Sequence, residues 1–182
     1  MLQKSSECLV AAQIGFLIFL IPCIFLVPEI FRQDLGISNY GINRLTVVPY
    51  ALGFVTSAYF TWRSAQKTKR AGFRRSLIFV AILQLGLLAV PDSQTDLIRY
   101  LHIAIGMVLF ATEFFVAAWL TLYVRREFND YALLILQALA GLSAFLSLGQ
   151  ILPFEAPSQL VFQITFGIIC IRAARALERQ KY

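Results

Sequence analysis

Residues 97–124 read LIRYLHIAIGMVLFATEFFVAAWLTLYV, 28 positions with a single acid, Glu113, and with Arg99 and His102 both near the start. A helix needs about 20 apolar residues to cross the ~30 Å hydrocarbon layer of a bilayer. This run exceeds that length, holds one glycine and has no proline. It predicts a transmembrane helix. Five further apolar runs, bounded by charge, proline or glycine, repeat the pattern: 9–31, 45–62, 75–90, 131–152 and 159–176. The expected fold is all-α, a polytopic, multi-pass transmembrane helical bundle of about six spans. It forms one domain over residues 1–182, with the N- and C-termini cytoplasmic. The runs 75–90 and 159–176 are marginal, and cross only if Arg74 and Arg75, or Arg172 and Arg175, extend their stems to the interface.

Composition agrees. Only 14% of the residues are charged and 59% are apolar, with a mean hydropathy of +0.72. A soluble domain carries roughly 25% charged residues, so this chain cannot clothe itself in water, and no soluble catalytic domain fits between the spans. The net charge of +6 is confined to short stretches between apolar runs, which points to membrane topology rather than nucleic acid. Cys8, Cys23 and Cys170 sit in or beside apolar runs and form neither a disulfide framework nor a C-x-x-C pair. The run 9–31 is too long for the apolar part of a cleaved leader, and no A-x-A-like site follows it. It is read as a retained first helix.

Charge asymmetry orients the bundle, because Lys and Arg near span ends stay on the cytoplasmic side. Six spans put 13 basic residues on one side (Lys4, Arg63, Lys67, Lys69, Arg70, Arg74, Arg75, Arg125, Arg126, Arg172, Arg175, Arg179 and Lys181) against three on the other (Arg32, Arg44 and Arg99). Were the last run not to cross, the split would fall to nine against seven. The expected location is a bacterial inner (plasma) membrane.

Candidate site residues follow from depth. Glu113 lies near mid-span, where a carboxylate is costly and functional by default, and is expected to be neutral there. His102 precedes it by 11 residues on nearly the same face, roughly 16 Å up the axis. Arg99 and Gly106 complete a stripe from the outer interface to mid-bilayer. Gln13, Gln84, Gln137, Gln150 and Gln163 recur in other spans, and each is a candidate partner for the acid. Gln84 and Gln137 join Glu113, His102 and Arg99 as ligand- or proton-binding candidates. The bland alternative is that these groups are interhelical glue. In the segment 63–75, Lys67, Lys69, Arg70, Arg74 and Arg75 are candidates for anionic lipid, at about 1 kcal/mol per charge, unless they serve orientation alone. The outer loop 32–44, with Asp34, Asn39, Tyr40, Asn43 and Arg44, is read either as a headgroup or partner site or as a solvated connection. No metal or other cofactor is expected: one histidine is too few for a zinc hydrolase or a bis-histidine haem. Gly141-Leu142-Ser143 suggests an intramembrane serine hydrolase, but His102 precedes Ser143 and lies at a different depth.

From Gly86 to Phe110 the chain reads GLLAVPDSQTDLIRYLHIAIGMVLF, a helix end, a short outer loop and a histidine heading the next helix. This stretch of 25 residues resembles uncharacterised six-helix bacterial membrane proteins of the DUF type and, distantly, Frag/DRAM-like proteins. The resemblance implies a fold rather than an activity. The first outer loop lacks a Pro-Tyr-Ile-Ser type of motif, so no trafficking role is implied.

The function expected is a non-enzymatic lipid- or ligand-binding or accessory component. The alternatives are a proton-coupled small transporter or channel subunit using Glu113, and an intramembrane hydrolase. Membrane lipids are the expected partners, together with a larger membrane protein or further copies of the chain. In a background lacking Cys8, Cys23 and Cys170, Asn39→Cys, Gln94→Cys and Ala156→Cys should react with an impermeant maleimide on intact cells. Thr68→Cys and Gln180→Cys should not, and labelling of position 180 would break the six-span reading.

Overall fold

The computed structural model describes residues 4–32, 35–92, 95–148 and 151–179. Asp34, Gln94, Gln150, Gln180 and Lys181 lie outside them. The described residues are helical, with no strand among them: α1 (Ser5–Leu26), α2 (Pro28–Arg32), a 3-10 turn (Ile37–Gly41), α3 (Val47–Lys67), α4 (Ala71–Ala89), α5 (Asp96–Leu120), α6 (Phe128–Leu148) and α7 (Glu155–Arg179). A single π turn, Thr121–Arg125, ends α5. Five helices are long and apolar enough to cross a membrane: α1, α4, α5 with its π turn, α6 and α7.

The run 9–31 is broken in two. Pro28 has no N–H and its ring would strike the carbonyl four residues back, so α1 stops and Pro28 starts α2, the position a proline tolerates best. The run 75–90, save its last residue, and the run 159–176 lie in helices apolar enough to cross, whereas α3 has the length but not the apolarity. Its sequence carries Pro49, Tyr50, Tyr59, Trp62 and Arg63 as well as small polar residues. Ser57, Thr61 and Ser64 are buried on α3 beside Gly53, Ala58 and Ala65, a small-residue face that lets helices approach closely. Most of that face packs on α1 and α4.

Consecutive long helices alternate in direction, and side-chain bonds tie each end. At the basic end, Ser5 Oγ lies 2.6 Å from Ser64 Oγ and 2.8 Å from Thr68 Oγ1. There the Ser6 amide and hydroxyl donate to Glu178 at 2.9 and 2.8 Å, so the start of α1 meets the end of α7. Arg70 stacks on Trp119 at 4.8 Å. The basic segment 63–75 is mostly helix, since α3 runs to Lys67 and α4 begins at Ala71.

The connection from α5 to α6 is the tightest corner. Arg126 takes a left-handed conformation with φ 54°, unfavourable by roughly 1–2 kcal/mol for a residue with a Cβ, and turns the chain back on itself. Asp130, in the first turn of α6, is thereby held between two cations. Arg125 Nε donates to it at 2.6 Å and Arg172 Nε at 2.5 Å. Both arginines also pair with Glu127, and Arg125 Nη1 donates to the Arg172 carbonyl at 3.1 Å. This cluster joins α5, α6 and α7.

Helix α7 is the most enclosed, with 44% of its most apolar stretch buried against 28% in each of the other four apolar helices. Ala156 and Thr68 are buried, so the exposed Pro153 and Gln66 are better positions for the cysteine probes. Asp130→Ala should destabilise the bundle toward the lower end of the ~3–5 kcal/mol lost when a buried pair loses one member. The arginines, at 14% and 28% side-chain exposure, keep some solvent contact. Denaturant unfolding in detergent measures the effect, and Asp130→Asn should recover part of it.

Candidate functional site

Two features concentrate polar chemistry: a buried carboxyl at the centre of the bundle and a cleft that opens toward the end opposite the basic one.

The carboxyl is Glu113. The face it was expected to share with His102 is the buried seam of α5, which also carries Leu109, Val116 and Leu120. Glu113 is 0% exposed, and its Oε2 accepts a hydrogen bond from Gln163 Nε2 at 2.6 Å. Of the five candidate glutamines, the one on α7 is therefore the partner. Glu113 Oε1 has none. His102 does not reach the acid and instead secures the end of α4: its Nδ1 lies 2.5 Å from the Val90 carbonyl. A carbonyl only accepts, so Nδ1 carries the proton in that bond, and Nε2 remains for another partner. Gln137 is fully buried with neither side-chain polar atom bonded, and Gln84 Oε1 is likewise unpaired.

The cleft has a volume of about 730 Å³. It lies between α5, which packs chiefly on α4, and α6, which packs chiefly on α7. Arg99, Asp92, His102, Asn39, Glu155 and Gln159 stand at its polar end. Deeper in, the walls are apolar, from Ile103, Met107 and Phe114 on α5 to Ala138, Leu142 and Phe145 on α6. Phe110 and Phe162 stack at 4.2 Å and also line it. Arg99 is exposed and has no ion-pair partner among the described residues. The stripe predicted on α5 thus divides: Arg99, His102 and Gly106 line the cleft, whereas Glu113 does not.

The loop at the cleft mouth is built in rather than solvated. Tyr40 is fully buried, and burial pushes its phenol up to about 12. The Ile37 amide donates to Gln159 Oε1 at 2.8 Å, and Thr46 Oγ1 to the Tyr40 carbonyl at 2.8 Å. A Cβ on Gly36 would sit 2.5 Å from Glu155 Oε1, so any larger residue there would push the Glu155 side chain aside.

Among the anionic-lipid candidates, Lys69, Arg70, Arg74 and Arg75 are exposed and Lys67 is half-buried. Arg70 is engaged with Trp119. Ser143 Oγ receives a hydrogen bond from Ser158 Oγ at 2.8 Å, an interhelical tie between α6 and α7. No group of three or more His, Cys, Asp or Glu among the described residues could hold a metal ion, and the three cysteines are free and buried. The fold and these features define a class, an all-helical bundle with membrane-length apolar helices. No protein family, curated protein or solved structure matches the chain.

Glu113→Gln keeps an acceptor for Gln163 and should leave stability nearly unchanged. Glu113→Ala strands the Gln163 amide and should lose about 1–3 kcal/mol. Thermal unfolding of both variants, alone and combined with Gln163→Leu, separates the pair from general packing: coupling below ~0.5 kcal/mol would show no tie.

Proposed function

We propose that the protein is a six-span membrane bundle that holds one amphiphile, a lipid or lipid-like ligand, in the cleft between α5 and α6, as a non-enzymatic binding or accessory component. The observation that carries this reading is the cleft itself, polar at one end and apolar along its walls. A molecule with a hydrogen-bonding head and a hydrocarbon tail matches both parts in one orientation. Small-molecule sites typically occupy ~300–1,000 Å³, and about 730 Å³ suits an acyl or isoprenoid chain with its head at the mouth. Arg99 and His102 Nε2 suit an acidic or hydroxylated head.

Six crossings are supported by the alternation of helix directions, by the length of α3, and by the meeting of Ser6 with Glu178. The basic end is cytoplasmic in this reading, in a plasma-type bacterial membrane, and the cleft mouth faces outward. Kinship with six-helix bacterial proteins of the DUF type fits the same arrangement. Lys69, Arg74 and Arg75 then face the anionic inner leaflet. The transporter alternative needs a wetted route to Glu113, which lines neither the cleft nor the smaller cavity beside Gln84. The Glu113–Gln163 pair fits better as an interhelical tie. The hydrolase alternative would need Ser143 beside a base, and Ser143 pairs with Ser158.

Native mass spectrometry after mild-detergent purification should show one bound amphiphile per chain. Ala111→Trp with Ala138→Trp fills the apolar walls from both sides and should weaken its retention about tenfold or more, equivalent to ~1.4 kcal/mol. Arg99→Gln should weaken retention of acidic species selectively. Undiminished recovery in the double-tryptophan variant, folded by size exclusion, would end the cleft reading.

A further inference from the structure

A second, much smaller cavity lies where α1, α3, α4 and α7 meet. Its volume is about 20 Å³, enough for one water molecule. Four polar side chains line it, one from each helix: Gln13, Ser57, Gln84 and Gln163. Gln84 is 7% exposed and its Oε1 has no hydrogen-bond partner. Ser57 and Gln13 are likewise not bonded to any other protein group among the described residues. Gln13 is steered there by the absence of a side chain opposite, since its amide group occupies the place a Cβ on Gly167 would take.

In a hydrocarbon interior an unpaired amide or hydroxyl is unfavourable by several kcal/mol, and water needs two to four polar partners to be retained. We propose that this cavity is a binding site for one ordered water molecule that links the four helices. The donors and acceptors balance. Gln163 spends its Nε2 on Glu113, so its Oε1 is left as an acceptor, and Gln84 Oε1 is a second. The water donates to these two oxygens and accepts from the Ser57 hydroxyl and the Gln13 amide. Its role is adhesive rather than conductive. A continuous hydrogen-bonded string then runs from Ser57 and Gln84 through the water and Gln163 to Glu113. The Gln163 amide interrupts proton transfer along it.

The test is infrared spectroscopy of the full chain in lipid vesicles hydrated with D2O or with its oxygen-18 form, recorded for the wild type, Gln84→Met and Ser57→Ala. The expected result is a narrow, isotope-sensitive O–D stretch in the wild type that is lost in Gln84→Met and shifted or lost in Ser57→Ala. Ser57→Ala deletes one oxygen only and carries the test if Gln84→Met fails to fold. An isotope-sensitive band identical in all three proteins, or none in the wild type, overturns the assignment. So does a melting midpoint that rises with Na+ over K+ at constant ionic strength and loses that dependence in Gln84→Met, which would identify a cation as the occupant.

Discussion

A polar group carried into an apolar slab is stabilised by a partner inside the protein, and in this bundle many of those partners stand on α7. From one end to the other, α7 bonds the loop at Ile37 through Gln159, α6 through Ser158, α5 through Gln163, the start of α6 through Arg172 and the start of α1 through Glu178. Burial of apolar area supplies little drive for helix association among lipid tails, so directional bonds and close packing carry that task. Remove α7 and about half of the side-chain bonds between elements of the described residues go with it. That dependence explains why the helix with the greatest burial is also one of the richest in polar residues.

The cleft follows from the same distribution of bonds. Helix α6 is held to α7 by Ser143–Ser158 and Asp130–Arg172, and α5 by Glu113–Gln163 and the Phe110–Phe162 stack. Among the described residues no side-chain bond joins α5 to α6 above the corner that Arg126 makes. Two helices fixed to a third but not to each other diverge away from their shared corner, and the polar loop ends gather at the open side. The opening is therefore a property of how the partners are assigned and not of a missing side chain.

Much of this architecture could be read in the sequence, because apolar length and basic punctuation are signals each segment carries alone. Each of the six runs overlaps a helix, the first being broken in two at Pro28, and the face shared by His102 and Glu113 is a real buried seam. What sequence could not supply was pairing. Five glutamines looked equivalent until the fold placed Gln163 beside Glu113. The Asp130 cluster was hidden because Arg125 and Asp130 are joined through a π turn and a left-handed arginine, and neither has a sequence signature when no glycine marks the bend. His102 was read with the acid below it, yet its bond goes to Val90, the half-buried residue that caps the preceding helix. The cleft left no trace at all, since it depends on which helices α5 and α6 each pack against.

Phe162 and Gln163 show how closely the two cavities are related. Neighbouring residues on a helix point about 100° apart, so α7 presents Phe162 to the cleft and Gln163 to the carboxyl and the small polar cavity. The Phe110–Phe162 stack and the Glu113–Gln163 bond lie side by side between the same two helices. Any displacement of the stack that turns α7 must lengthen that bond, which at 2.6 Å is short and directional and weakens steeply when bent. The cleft wall is therefore stiffened from behind by the polar core, and apolar shape and polar anchoring become one constraint on a single helix.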